Sequence, residues 1–273
     1  MRLFISADIE GVAGVATLDE TRPGAPGYET ARLWMTLEVA AAAHAAAAMG
    51  ITEVVVADSH GPGTNLLPDH LPPLVRLVRG HPRPLGMMQG IADGTYVGAM
   101  LLGYHAGAGA GAGGLRHTFR GGFREVRLNG RAVSEAGFNA VLAAHFGVSI
   151  IAASGDDAAI AEITALLGPV EAAVVKTSLS YTAISTMVPE AGCAAVAACV
   201  KRALSAPPPA APAPPTGPVR LELDLASHGA VELLSWLPGM ERPGPNTIAF
   251  SAPDMPALSR VLQFIGRYRA DML

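Results

Sequence analysis

The sequence predicts an α/β fold, a mostly parallel central sheet flanked by helices with a smaller C-terminal α+β subdomain. Three observations carry this reading. Strand-like and helix-like segments alternate through the first two-thirds of the chain. Several of the strand-like segments are apolar and β-branched, as core strands are. A proline-rich stretch, Ala206-Pro207-Pro208-Pro209 through Pro218, then sets off a last group of shorter elements.

The elements follow in order. Arg2 to Ala7 reads as a strand. Tyr28 to Met49 reads as a long Ala-rich helix closed by Gly50 as its C-cap. Glu53 to Ala57 and Tyr96 to Leu102 are strand-like. Phe123 to Val133 holds Asn129-Gly130 between alternating residues, a strong hairpin signal. Ser134 caps a helix to about His145. Val148 to Ala153 and Ala172 to Val175 are core strands, with a helix from about Asp156 to Leu167 between them. Pro189 to Leu204 is helical. The proline-rich stretch cannot be helix and is expected as extended polyproline. Beyond it lie strand Val219 to Leu225, helix Ala230 to Leu234, strand Thr247 to Ser251 and helix Met255 to Tyr268. The expected division is an α/β unit at 1–205, a connecting segment at 206–218 and a small α+β unit at 219–273.

With 273 residues, half of them hydrophobic, the chain can bury a sizeable core. Its formal charge of -4 gives no electrostatic case for nucleic acid or an anionic membrane surface. No apolar run reaches the roughly 18 residues that span a bilayer. Asp8 and Glu10 interrupt the one place where a signal peptide's apolar region could sit, so a cytoplasmic location is expected. Cys193 and Cys199, both in an Ala-rich helical stretch, read as buried thiols.

The chemistry concentrates where predicted strands end. The first strand runs into Asp8-Ile9-Glu10-Gly11, and residues i and i+2 of a strand share a face. Two carboxylates held together need a cation, a shared proton or basic partners, and no lysine is near in sequence. His60 follows the second strand in Asp58-Ser59-His60, and His105 follows another in Leu102-Gly103-Tyr104-His105. Glu135 opens the helix after the hairpin. Ligands of open α/β sheets bind outside these carboxyl ends. Three carboxylates and two imidazoles suit zinc, with Mn²⁺ or Co²⁺ as alternatives. Five side chains exceed what one tetrahedral zinc takes, which favours two metals about 3.5–4 Å apart. Taken singly, His60 and His105 could be loop histidines and Glu135 a helix-terminal carboxylate; it is the set that points to metal.

His117 lies beyond Ala106 to Gly114, a stretch of nothing but Ala and Gly, readable as a flexible loop or as a mobile segment that brings His117 over a substrate. The stretch lacks the G-x-x-x-x-G-K-[ST] phosphate-loop pattern. No G-x-S-x-G elbow for a serine nucleophile is present.

These blocks together resemble the zinc D-aminopeptidases encoded with bacterial dipeptide transporters (DppA-type). The resemblance runs through Ser6-Ala7-Asp8-Ile9-Glu10-Gly11, Asp58-Ser59-His60, Leu102-Gly103-Tyr104-His105 and His117. It continues in Ser134-Glu135-Ala136-Gly137-Phe138-Asn139-Ala140 and Gly155-Asp156-Asp157, and covers residues 1 to about 185. It implies two zinc ions per chain, with Asp8 bridging, Glu10 and His105 on one ion, and His60 and Glu135 on the other. His117 takes the position of the family's nucleophile. A metal-activated water is the physically preferred attacking group, and His117 then serves as general base or acid. The resemblance also implies a homodecamer that admits only short peptides. Tyr181 stands where a basic residue is expected. The activity implied is removal of N-terminal, D-configured residues from short peptides. Two rivals remain at this point: a binuclear hydrolase of another amide or a phosphoester, and a peptide-binding protein without catalysis.

Overall fold

The computed structural model describes residues 1–211 and 213–268. In chain order the elements are β1 (Arg2–Ala7), α1 (Tyr28–Ala48), β2 (Glu53–Asp58), β3 (Val75–Val78), β4 (Ala99–Tyr104), β5 (Phe123–Leu128), β6 (Arg131–Ala132), α2 (Glu135–His145) and β7 (Ile150–Asp156). They continue as α3 (Asp157–Leu167), β8 (Glu171–Ser178), β9 (Ile184–Thr186), α4 (Pro189–Ser205), β10 (Val219–Leu225), α5 (His228–Ser235), β11 (Met240–Glu241), β12 (Thr247–Ala252) and α6 (Met255–Arg267).

The main sheet has the order β3-β2-β1-β4-β7-β8-β9 and is parallel except for β9. Its central strands β1, β2, β4 and β7 are buried on both faces, which is why their sequences are apolar without alternation. Leu3, Ile5 and Ala7 of β1 pack with α1 and α4 on one side. Phe4 packs on the other, into a core shared with α2, α3, the second sheet and α6. The alanines of α1 let α4 approach closely; Ala42, Ala43 and Ala46 are fully buried.

The second sheet has the order β11-β12-β10-β5-β6 and is antiparallel. The hairpin forms where the sequence places it, with Asn129 at φ 50° and Gly130 at φ 78° in the turn. That hairpin joins a sheet whose other strands lie beyond residue 218, so the elements after the proline-rich segment share a sheet and a core with elements before it. Residues 207–211 and 213–215 carry no regular secondary structure; Pro212 lies outside the described residues. The expected strand at Tyr96 to Leu102 is displaced to Ala99–Tyr104, because pairing with β1 begins at Phe4↔Ala99. Both cysteines are free thiols; Cys199 is buried and Cys193 half-buried.

Candidate metal centre

Three neighbouring strands of the main sheet end together. The register pairs Ala7 with Asp58 on β2 and with Leu102 on β4, so the residues that follow each strand converge at one edge. Asp8 N–H donates to Leu102 O at 2.8 Å, and Ser59 N–H to Ala7 O at 2.8 Å. The strand itself stops at Ala7, so Asp8 and Glu10 do not meet by strand alternation. They meet because the chain turns: Gly11 N–H donates to Gly103 O at 2.8 Å. That approach depends on glycine. A Cβ at Gly11 would lie 2.0 Å from Tyr104 O, and one at Gly103, where φ is +70°, would lie 2.3 Å from Asp8 O.

Asp8, Glu10, His105 and Glu135 are each no more than 3% exposed. His60 Nδ1 lies 3.0 Å from Glu10 Oε2 and 3.3 Å from Asp8 Oδ1. His105 Nε2 lies 3.5 Å from Asp8 Oδ2 and 3.5 Å from Glu135 Oε1. Asp8 thus turns one oxygen to each imidazole. Glu135 is the first residue of α2, capped by Ser134, and Oε1 also accepts the Phe119 N–H at 2.6 Å. Asp8, Glu10 and His105 offer ligand atoms within 4.8 Å of one another, and so do His105, His117 and Glu135.

The opposite ring nitrogens define what the facing ones can do. His105 Nδ1–H donates to Ala106 O at 2.9 Å, and His60 Nε2–H to Thr21 O at 2.7 Å. In the neutral tautomers so fixed, His105 Nε2 and His60 Nδ1 present lone pairs to carboxylate oxygens. His105 Nε2 is buried and has no hydrogen-bond partner. Acceptor facing acceptor is repulsive unless positive charge lies between them. Burial lowers the pKa of both imidazoles, but the Glu10 and Asp8 carboxylates beside His60, and Glu135 and Asp8 beside His105, outweigh it and hold both well above the ordinary value. Burial raises the Asp8 carboxyl, yet the imidazoles of His105 and His60 beside it bring it well below the usual range. The donor set therefore fits a divalent cation by the orphaned nitrogen it leaves and by the charge it requires.

His117 stacks on His105 with ring centroids 4.2 Å apart and planes 10° from parallel. Its Nδ1–H donates to Leu115 O at 3.0 Å, and Nε2 lies 3.6 Å from Glu135 Oε1. The Ala/Gly loop before it is held at both ends. Gly107 N–H donates to Glu162 Oε2 at 3.0 Å, Ala108 N–H to Thr118 Oγ1 at 2.9 Å, and Gly114 N–H to Ser178 Oγ at 2.7 Å and to Asp156 Oδ2 at 3.2 Å. Asp156 also caps α3, which accounts for the Gly155-Asp156-Asp157 block. Tyr181, where a basic residue was expected, accepts the Leu115 N–H on its carbonyl and carries Arg116 over its ring at 5.6 Å.

Sequence reasoning missed the groups beneath the site. Lys176 is buried on β8, and its Nζ donates to the Glu10 carbonyl, to Val12 O at 3.1 Å and to Val15 O at 2.6 Å. A lysine is near the acidic pair after all, but it holds the main chain of the segment that carries Glu10. The usable signal was a lysine directly following the apolar run Ala172 to Val175. The hydroxyls of Ser6, Ser59 and Tyr104 and the amide of Asn139 form a second buried support.

A parallel sheet with a buried carboxylate–imidazole cluster at its strand ends defines a metal-dependent hydrolase of the α/β class. Over residues 1–264 the chain matches the model of a peptidase family described as D-aminopeptidase, and it belongs to that family. It is 35% identical over 257 residues to a D-aminopeptidase of Bacillus subtilis, covering 93% of each chain. Its fold superposes with a TM-score of 0.93, at 32% identity, on a structure described as the Zn-dependent D-aminopeptidase DppA from Bacillus subtilis, a self-compartmentalizing protease. That alignment covers 97% of this chain and 96% of the other.

Proposed function

We propose that this protein is a zinc aminopeptidase that removes D-configured N-terminal residues from short peptides. Two zinc ions per chain would be held by Asp8, Glu10, His60, His105 and Glu135, with Asp8 between them. The resemblance would give Glu10 and His105 to one ion and His60 and Glu135 to the other; in the structure the close pairs are His60 with Glu10, 3.0 Å, and His105 with Glu135, 3.5 Å. The observation that carries this is the buried, unpartnered His105 Nε2 aimed between Asp8 and Glu135. Zinc at such a site polarises a scissile carbonyl and makes a water acidic enough to attack it near neutral pH.

The protein's own part is positional and proton-handling. Lys176 and the turn at Gly11 fix the segment of Asp8 and Glu10. His117, its Nδ1–H spent on Leu115 O, keeps Nε2 as the basic atom over the cavity. It takes a proton from the attacking water and returns it to the leaving amine, as a positioned general base and acid. The family position as nucleophile is the alternative for the same atom.

The relative's self-compartmentalizing character supports a homo-oligomer, with the homodecamer as its finer form. Leu233 on α5 and Trp236, the residue that caps its C-terminus, are 60% and 70% exposed and offer apolar contact surface. Among the described residues no helix is long and apolar enough to cross a membrane, and a cytoplasmic location follows the sequence expectation.

The deciding experiment measures metal per chain on dialysed wild type and Asp8→Ala, together with hydrolysis of D- and L-alanyl peptides and a phosphoester panel. About two zinc per chain, falling sharply in the variant, with D-peptide hydrolysis, is the expected outcome. No bound metal in either protein after zinc re-addition overturns the reading.

A further inference from the structure

The cavity over the candidate metal centre, about 400 Å³, is lined by two chemically different sets of groups. Asp8, His60, His117 and Glu135 form one; Arg22, Arg120 and Arg267 form the other. Its volume lies in the range of small-ligand pockets.

Arg267 closes the last turn of α6 and is held at two points. Nη1 donates to Gly61 O at 3.0 Å, on the residue after His60, and Nε donates to Gln263 Oε1 at 3.1 Å. Among the described residues no carboxylate lies within ion-pair distance of it, and Nη2 has no hydrogen-bond partner. Arg120 is tied to the same turn, its Nε donating to Gly266 O. Burial, with Arg120 and Arg83 nearby, lowers the Arg267 pKa to about 10. His81 is pushed down to about 3 by burial and by Arg83, Arg267 and Arg120. Among the described residues, positive charge is concentrated here with no carboxylate in ion-pair contact with Arg267, and the natural complement of a fixed guanidinium fork is a carboxylate.

We propose that Arg267, assisted by Arg120, binds the C-terminal carboxylate of the peptide whose N-terminal bond lies at the candidate metal centre, so that the site selects short peptides with a free C-terminus. This rests on the peptidase reading. An N-terminal exopeptidase has no chemical need for the far end of its substrate; a guanidinium in the same cavity makes that end part of recognition and couples peptide length to binding. The segment Phe119 to Arg120 that follows His117 then serves both the proton-handling and the recognition side of the cavity.

The test compares kcat/KM for D-Ala-D-Ala with that for its C-terminal amide on zinc-loaded enzyme. The acid is expected to be favoured about ten- to a hundredfold, chiefly through KM, the range of a charged hydrogen-bonded contact. In Arg267→Gln that ratio falls toward one; Arg267→Lys, which keeps charge without the fork, gives an intermediate value. Equal turnover of acid and amide by wild type overturns the inference even if the variants do not fold, and leaves the peptidase reading standing. An unchanged ratio in Arg267→Gln likewise overturns it. A D-Ala-D-Glu amide that recovers the full rate shows a side-chain carboxylate to be the ligand and overturns the main-chain assignment. No hydrolysis of any of these peptides by metal-loaded protein overturns the peptidase reading and this inference with it.

Discussion

The hydroxyl of Ser6 lies 2.7 Å from that of Tyr104, joining the residue two before Asp8 to the residue one before His105. The same Ser6 Oγ is 2.9 Å from Ser59 Oγ, one before His60, and Tyr104 OH accepts the Asn139 amide at 2.9 Å, one helical turn after Glu135. Every element that brings a candidate ligand to the centre is thus pinned to one buried polar network. Its closure on Met87 O at 3.0 Å, from both Ser6 and Ser59, leaves the serine hydroxyls satisfied. Such a network fixes relative register and is costly to open.

Tyr104→Phe keeps the ring and removes the central hydroxyl. Ser6 and Asn139 then each lose a partner in the core, at a cost of roughly 1–3 kcal/mol in urea unfolding. Zinc content should fall with it, because β1 and β4 are no longer held in register below Asp8 and His105. Wild-type stability together with full zinc loading would show the network to be incidental.

His117→Gln should retain zinc and lose turnover by about 10²- to 10⁴-fold, the usual worth of a positioned general acid or base. The pair of readouts matters, since His117 lies within ligand distance of His105 and Glu135. If zinc leaves along with activity, His117 is a ligand and its proton-transfer role is withdrawn.

Much of this centre was legible in the sequence. Asp8, Glu10, His60, His105 and Glu135 each follow or open a regular element, and a parallel sheet brings such ends together. The alternation argument for Asp8 and Glu10 reached the right neighbourhood by the wrong geometry, since the meeting is made by a turn at Gly11 and not by a strand face. Lys176 and Arg267 were not legible, because the contacts that give them meaning span 166 and 206 residues of chain. Sequence patterns report local conformation, and these two side chains act only after the whole sheet and α6 are in place.

Lys176→Met tests the support beneath Glu10. The three carbonyls of Glu10, Val12 and Val15 lose a common buried donor, and the expected cost is roughly 2–4 kcal/mol. Denaturant unfolding gives the stability and metal analysis gives the loading, which should fall below wild type. A fully loaded variant would mean that the segment keeps its shape without the lysine.

Removal of metal should lower thermal stability, because the native state binds it and the unfolded chain lacks the assembled site. With free zinc a hundredfold above its dissociation constant the difference is about 2.7 kcal/mol. Asp8→Asn, isosteric but unable to supply the same charge, should show little further change on chelation. If chelation shifts wild type and Asp8→Asn equally, the stabilising ion sits elsewhere.

Glu38 supplies a pH test away from the candidate ligands. It is 1% exposed on α1, its Oε1 accepts the Ala13 N–H at 2.9 Å, and its Oε2 has no partner. Burial pushes its carboxyl from 4.5 up to about 7, against the Ala13 hydrogen bond and the Lys176 charge, which pull it down. A carboxyl whose folded pKa exceeds its unfolded one holds its proton more tightly when folded. Its favourable contribution is therefore complete below about 4.5 and is lost as pH rises through about 7. Glu38→Gln cannot titrate, so between those values its stability relative to wild type should rise by on the order of 3 kcal/mol. The slope is the readout, because the new amide also changes the hydrogen bonding at Oε2 and with it the absolute stability. Parallel pH profiles of unfolding free energy for the two proteins would show that Glu38 is ionised in the core at all these pH values, held so by Lys176.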